Sequence, residues 1–162
     1  MSVESALLRL LVDKGIISDA KKSVVVGEAE EYEKSIISTV IGLSYAEPKQ
    51  LMDLLAEEYD LPSMDLNLFE PKTAPQKYLN EDLCLKYEAL PIGVVNSTLY
   101  LAVSDPSSMT AIEALDNFST KYAVSTDMIV VEEDKLQRAL TILFRHNIDV
   151  EAGDKQEDSW YD

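Results

Sequence analysis

The start of the chain repeats one pattern twice, and this repeat restricts it to short, paired helices. Gly15 in the first copy matches Ser44 in the second, and Leu7 matches Ile36, so both pairs stand 29 positions apart (44 − 15 and 36 − 7). Each copy holds an apolar helix, a tight turn and a residue that can cap a second helix. Any two amphipathic helical hairpins would give a similar pattern, and either interpretation predicts helices here.

Capping and turn residues predict the boundaries of these helices. Ser5 and Ser18 can each cap a helix, and Gly15 can end one because glycine tolerates the left-handed conformation. Pro48 fits the first turn of a helix, where its missing N–H costs nothing. The expected helices are a first through Val12, a second over Ala20–Val26, a third over Glu30–Ile41 and a fourth from Pro48.

A connector follows, and a different pattern begins after it. Pro62 and Pro71 exclude a helix from Leu61–Thr73, where Met64–Leu66 is expected to form a short edge strand. Asn80 is predicted to cap a helix that runs through Tyr87.

The remainder alternates between strand and helix signals. Strands are predicted over Leu90–Val95 and Leu99–Val103, separated by the hairpin signal Asn-Ser-Thr. Asp105 and Pro106 are expected to cap and start the next helix. The last two elements are a third strand region over Tyr122–Val131, broken near Asp127, and a helix that starts at Glu132–Asp134.

These elements predict an α+β fold with two parts. Residues 1–60 are expected to form a helical subdomain of two degenerate helix-hairpin repeats. Residues 61–148 are expected to form a compact α+β subdomain with a small sheet of about three strands and three helices. Residues 149–162 form an acidic tail.

Composition and missing motifs exclude several classes of function. The net charge of -16 repels phosphate backbones and anionic headgroups, so neither nucleic-acid binding nor direct membrane insertion is expected. Cys84 and His146 are the only residues of their types, so no cofactor and no Cys/His metal site is expected. The sequence contains no G-x-x-x-x-G-K-[ST] phosphate loop, and we expect no catalytic residues and no enzyme activity. Cys84 is expected to be a buried structural thiol.

Three segments resemble the N-terminal domain of the ATPases that power type II secretion and type IV pilus assembly in bacteria. Leu61–Leu66 resembles the family's L-P-[aromatic]-x-D-L, and Asn80–Ile92 is similar to P-E-x-x-A-x-x-Y-x-x-L-P-L. Leu99–Pro106 resembles L-x-V-A-x-x-D-P and is the most specific of the three. The resemblance spans about residues 61–146 and, more weakly, the helices before them.

The resemblance implies a docking role in protein transport. In the family this region recruits a nucleotide-hydrolysing motor to a platform protein at the cytoplasmic face of the inner membrane. We therefore expect a cytoplasmic protein-protein interaction module with a secretion or pilus platform protein as partner. Aliphatic side chains of the helical part are the expected partner-binding residues if they form an exposed patch. They are Leu7, Leu8, Leu11, Ile16, Ile36, Ile37, Val40 and Ile41. The alternative is that they close into a self-contained bundle or cover the sheet.

Two other functions remain open at this point. A related form of the domain binds cyclic di-GMP through R-L-G-x-x-L-x-x-x-G-x-[LI], which here begins Ala6-Leu7-Leu8 and, in the second copy, Ser35-Ile36-Ile37. Because the arginines are missing, cyclic di-GMP is not the expected ligand. If it binds, the resemblance implies a site near Gly15, Ile16, Ser44 and Tyr45. The second alternative is a free-standing adaptor with the same fold.

Overall fold

The computed structural model describes residues 5–144 of the chain, so His146 and the tail 149–162 lie outside the described residues. Helices come first and a three-stranded sheet follows, which confirms the α+β fold class. The helices are α1 (Ala6–Asp13), α2 (Asp19–Tyr32), α3 (Ile36–Gly42), α4 (Pro48–Glu58), α5 (Glu81–Tyr87), α6 (Met109–Tyr122) and α7 (Glu133–Leu143). The strands are β1 (Leu90–Val95), β2 (Thr98–Val103) and β3 (Ser125–Val130).

Side-chain caps start the helices where the sequence predicts them. The Ser5 hydroxyl accepts a hydrogen bond from the Leu8 amide, and the Ser18 hydroxyl accepts one from the Lys21 amide, both at 3.2 Å. Asn80 caps α5 in the same way. These caps satisfy backbone donors that the first turn of a helix leaves without an intrahelical partner.

The repeat is also present in the backbone. Gly15 and Ser44, at matching positions, both have left-handed φ values, +74° and 63°. The amide after each one donates to a carbonyl five residues back, which closes the turn between paired helices. These bonds run from Ile16 to Leu11 at 2.9 Å and from Tyr45 to Val40 at 3.0 Å.

We expect Ser44→Gly to stabilise the protein by about 0.5–1 kcal/mol, because the left-handed conformation penalises every side chain with a Cβ atom. Gly15→Ser should destabilise it by a similar amount for the same reason. Urea unfolding followed by circular dichroism measures both changes. Gly27→Ser is the control, since its added Cβ meets no atom within 4 Å and its φ is not positive. A loss of stability in Ser44→Gly would contradict this account of the turn.

The second and third helices differ from the prediction. Residues Glu30–Tyr32 belong to the end of α2, so the expected helix over Glu30–Ile41 is wrong in its first half. Glu33 takes a left-handed conformation that ends α2, and the Ser35 hydroxyl caps α3 at 3.1 Å. The sequence does not indicate this break, because the left-handed residue after a helix is usually a glycine or an asparagine and here it is a glutamate.

The sheet has the order β1-β2-β3, with an antiparallel hairpin followed by a parallel pair. Asn96 and Ser97 form the two-residue turn of the hairpin, and both have positive φ. Helix α6 connects β2 to β3, as a parallel crossover requires. The connector adds a single parallel bridge to β3, from Ser63 to Val130. The predicted edge strand at Met64–Leu66 is therefore wrong, because the bridge lies at Ser63 and Leu66 begins a 3₁₀ turn.

Two further predictions need correction. Ser108, not Asp105, caps α6, since its hydroxyl accepts from the Ala111 amide at 3.1 Å. Asp105 instead closes the turn before the helix by accepting from the Ser107 amide at 3.0 Å. Strand β3 begins at Ser125 and continues without a break through Asp127.

The buried apolar side chains form two clusters. The larger cluster packs the sheet against α5, α6 and α7, with Phe118 and Leu136 fully buried within it. The smaller cluster joins the four N-terminal helices through side chains such as Leu11 and Leu51. Val130, at the end of β3, has its side chain in the smaller cluster, so the sheet contributes directly to the helical core.

Candidate functional site

The turns predicted as a ligand site lie on exposed or half-buried surface, and one side chain links the two repeats. Gly15 and Ser44 are exposed, whereas Ile16 and Tyr45 are half-buried. The Lys21 ammonium group lies 4.9 Å from the centroid of the Tyr45 ring, which is a cation–π contact. Lys21 follows the first turn and Tyr45 belongs to the second, so the fold brings the two turns close together. Sequence reasoning did not predict this contact.

The predicted partner-binding side chains do not form an exposed patch, because all eight are buried or half-buried in the smaller cluster. Within each repeat the turn folds the second helix back, so the apolar faces meet one another and Val130 covers part of them. Five of the eight side chains are buried, namely Leu7, Leu8, Leu11, Ile37 and Val40. The other three, Ile16, Ile36 and Ile41, pack partly buried against the same cluster. A role for these residues in binding a partner stays a prediction.

A buried polar group lies where the two parallel strands end. Ser104 follows β2, and its hydroxyl donates to Glu133 at the start of α7 across 2.5 Å. The side-chain amide of Gln137 donates to Glu133 at 3.2 Å and to Glu88 at 2.8 Å. Asp105, beside Ser104, accepts from both the amide and the hydroxyl of Ser107. The carboxyl ends of parallel strands are common ligand sites, but hydrogen bonds within the chain satisfy these groups.

Burial changes the acidity of the two carboxyl groups in this cluster. Burial raises the pKa of Glu133 above its ordinary value, and the hydrogen bond from Ser104 only partly opposes that effect. Burial also raises the pKa of Asp105, against two hydrogen bonds from Ser107. Both residues are less than one tenth exposed, at 7% for Glu133 and 8% for Asp105. Their ionised forms therefore cost folding free energy near neutral pH.

Asp105→Asn should become more stabilising relative to the parent chain as the pH rises. The folded-state pKa of Asp105 lies above its ordinary value of 3.8, so the stability linked to this group is fully present below pH 3.8 and is lost as the pH rises through the folded pKa. Asparagine does not titrate, and its carbonyl oxygen can still accept both bonds from Ser107. Urea unfolding from about pH 4 to about pH 7.5 measures the difference.

The exposed Asp116→Asn is the matched control for this experiment, because it removes the same formal charge. A stability difference between Asp105→Asn and the parent that does not change with pH, or that changes equally in Asp116→Asn, would contradict the effect of burial.

The aspartate of the first resembling motif has a structural role. The Lys135 ammonium group lies 2.9 Å from Asp65 and 2.6 Å from Glu132, which ties the connector to α7. The hydrogen bond from Lys135 is the main reason that the pKa of Asp65 is below its ordinary value. Asp65 also accepts from the Asn67 amide at 2.9 Å and starts a 3₁₀ turn.

The cysteine is also structural, as predicted. Cys84 is fully buried in the larger cluster, and burial raises the pKa of its thiol to about 12. It is therefore neutral and unreactive near pH 7. Within residues 5–144, no three His, Cys, Asp or Glu side chains are grouped so that they could hold a metal ion. None of the helices in that range has the length and apolar character that crossing a bilayer needs.

The family of the chain follows from its second half. Residues 59–147 match the MshEN domain, and this range covers more than half of the chain. The chain belongs to the MshEN domain family. The match includes all three segments that resemble the secretion and pilus ATPases, so the resemblance is confirmed.

The chain also aligns with type IV pilus assembly ATPases named PilB. It is 28% identical to PilB of Acinetobacter baylyi over 137 residues, which are 85% of this chain and 23% of that protein. It is 27% identical to PilB of Pseudomonas aeruginosa, over 92% of this chain and 26% of that protein. The chain thus spans about a quarter of the length of these relatives and is homologous to their N-terminal region, outside the catalytic ATPase domain.

Two solved structures share the fold of this chain. A structure of MshE with cdg is 28% identical and has a TM-score of 0.62, covering 86% of this chain and 99% of that one. The N-terminal domain of XpsE has a TM-score of 0.64 and covers 86% of this chain and 96% of that one. Its identity is 18%, so this likeness concerns the fold alone.

Proposed function

We propose that this chain is a non-catalytic protein-protein interaction module that docks a type IV pilus or type II secretion motor on its platform at the cytoplasmic face of the inner membrane. The observation that supports the proposal is the alignment with PilB. It extends over 85% of this chain but only 23% of the relative, in the region outside the catalytic domain.

The chemistry of the described residues agrees with a binding role. The sequence contains no phosphate-binding loop, and the buried carboxyl groups are held by Ser104, Ser107 and Gln137. The two motif aspartates with described contacts have structural roles, since Asp65 pairs with Lys135 and Asp105 accepts hydrogen bonds from Ser107. Within residues 5–144 these polar groups hold the fold together, which suits a module that presents a surface.

The test uses the full chain and the cytoplasmic portions of the pilus and secretion platform proteins encoded in the same genome. We expect the chain to co-elute with one of them in size-exclusion chromatography and to show saturable binding by calorimetry. Purified chain alone should not turn over ATP. Failure to bind any of these portions at about 100 μM, well above the range of specific complexes, would overturn the docking function.

A second candidate function, cyclic di-GMP binding, is favoured by one observation, the likeness to MshE solved with cdg. The exposed turns at Gly15 and Ser44 and the nearby Lys21 also suit a ligand. However, Ala6 and Ser35 replace the arginines of the binding pattern. Leu8 and Ile37 replace the first glycine of the pattern in the two copies, and both are buried. Large side chains therefore fill positions where the pattern has none, and we expect no binding in the micromolar range.

Calorimetry of the chain with cyclic di-GMP tests the second candidate, with the N-terminal domain of MshE as the positive control. We expect heats that match dilution for this chain and a saturable isotherm for the control. A saturable isotherm that Lys21→Ala weakens would make the second candidate the better one.

A further inference from the structure

Helix α2 is covered by the rest of the described chain on one side only. Val25 and Ala29 are the only buried residues among its fourteen. Val24 and Tyr32 are large apolar side chains, yet they are 47% and 58% exposed. The uncovered face of a surface helix usually carries polar residues, so two exposed large apolar side chains need an explanation.

The exposed apolar side chains share a face with two glutamates. Val24, Glu28, Glu31 and Tyr32 recur at i, i+4, i+7 and i+8, which places them on one stripe of the helix. We name this stripe the α2 face. Neither glutamate forms an ion pair with a described residue. Positions 23–33 contain no lysine or arginine.

The order of charges along α2 is unfavourable for an isolated helix. Lys21 and Lys22 lie near its first turn, where the helix dipole disfavours cations. Glu30 and Glu31 lie near its end, where the dipole disfavours anions, and the last turn has no basic residue. A cation of a partner close to that end would interact favourably with the negative end of the helix dipole and would reduce the repulsion between the glutamates.

We propose that the α2 face docks a basic amphipathic helix of a protein partner. The apolar side of that helix would cover Val24 and Tyr32, and its lysines or arginines would pair with Glu28 and Glu31. This inference rests on the proposed docking function and adds the chemistry of the partner. A second copy of the chain does not fit the face, because it would bring glutamates against glutamates. An anionic lipid surface is repelled for the same reason.

The first test is independent of any natural partner. The probe is a synthetic helical peptide of about 18 residues, or five turns, with leucines along one stripe and lysines elsewhere. It is titrated into the full chain, and backbone amide shifts are followed by NMR. We expect the largest shifts in α2 and saturation of binding. Shifts that centre on another element, spread over the acidic surface or do not occur would overturn the proposal.

Matched variants show whether the α2 face itself binds the peptide. Val24→Ser with Tyr32→Ser should weaken peptide binding about tenfold or more, since apolar anchors dominate such interfaces. The control is Met109→Ser with Ile112→Ser on α6, where the two side chains are 66% and 48% exposed and lie beside Glu113 and Asp116. Equal losses in the two double variants would mean that the peptide binds any exposed apolar and acidic surface.

The second test separates this inference from the docking function. The same two double variants are titrated against the platform portion that binds the parent chain. Loss of binding in the α2 variant alone supports both proposals. Equal binding by both variants would overturn the proposal that the α2 face docks the partner, and it would leave the docking function intact. If no platform portion binds the parent chain, the docking function is overturned. The peptide titration alone then tests whether the α2 face binds a basic amphipathic helix.

Discussion

Phe118→Ala is expected to destabilise the chain by about 3–5 kcal/mol, the range for removing a buried phenylalanine from a protein core. Phe118 is fully buried in the larger cluster. Its ring stacks on Tyr122 with centroids 6.2 Å apart. Tyr122 and Tyr78 form a T-shaped pair with centroids 5.1 Å apart. The alanine would leave a cavity among rings that cannot easily move into it.

Urea unfolding followed by circular dichroism measures this loss of stability. Since a domain of this size has only about 5–15 kcal/mol of stability in total, the variant should unfold at a clearly lower urea concentration than the parent chain. Tyr32→Ala is the control, because it removes an aromatic ring that is exposed. A loss below about 1 kcal/mol in Phe118→Ala would mean that the cavity collapses or that the ring is not in the core.

Leu11→Ala is expected to cost about 2–5 kcal/mol and to weaken the sheet as well as the helices. Leu11 is fully buried in the smaller cluster, which also contains the side chain of Val130 from β3. Because Val130 belongs to the sheet and its side chain packs in the helical cluster, we propose that the two parts of the chain unfold together.

Hydrogen exchange and urea unfolding measure the coupling between the two parts. Amides of β3 should lose protection in Leu11→Ala along with amides of α1, and the unfolding curve should keep a single transition. The control is Leu68→Ala, which shortens an exposed leucine. Two separate transitions in Leu11→Ala would show that the helices and the sheet unfold independently.

Local signals made much of the fold predictable. Ser5, Ser18 and Asn80 cap helices because their side chains reach only the next few amides, so spacing alone identifies them. The turn at Asn96 and Ser97 was predictable because asparagine and serine are common in tight turns between strands. The break after Tyr32 was not, because Glu33 carries no sequence signal for its left-handed conformation.

For the candidate sites too, features set by local spacing were predictable, and features set by residues far apart in the sequence were not. The match between Gly15 and Ser44 was visible as a constant spacing and returned as matching backbone conformations. The bond between Ser104 and Glu133 joins residues 29 positions apart, and it depends on β2 and β3 being parallel neighbours. Which aliphatic side chains of the repeat would be buried depended likewise on Val130, far away in the sequence. Periodicity identifies an apolar face but cannot show what covers it.

The contacts of Val130 limit which helical parts and which sheets of related domains can be joined in one chain. Its amide donates to the Pro62 carbonyl at 2.8 Å, its carbonyl accepts from the Met64 amide at 3.1 Å, and its side chain packs among the helices. One residue thus contacts the connector through its backbone and the helical part through its side chain. A chimera that joins the helices of one relative to the sheet of another must match the volume at this position and the path of the connector, or both grafted pieces will lose packing at their junction.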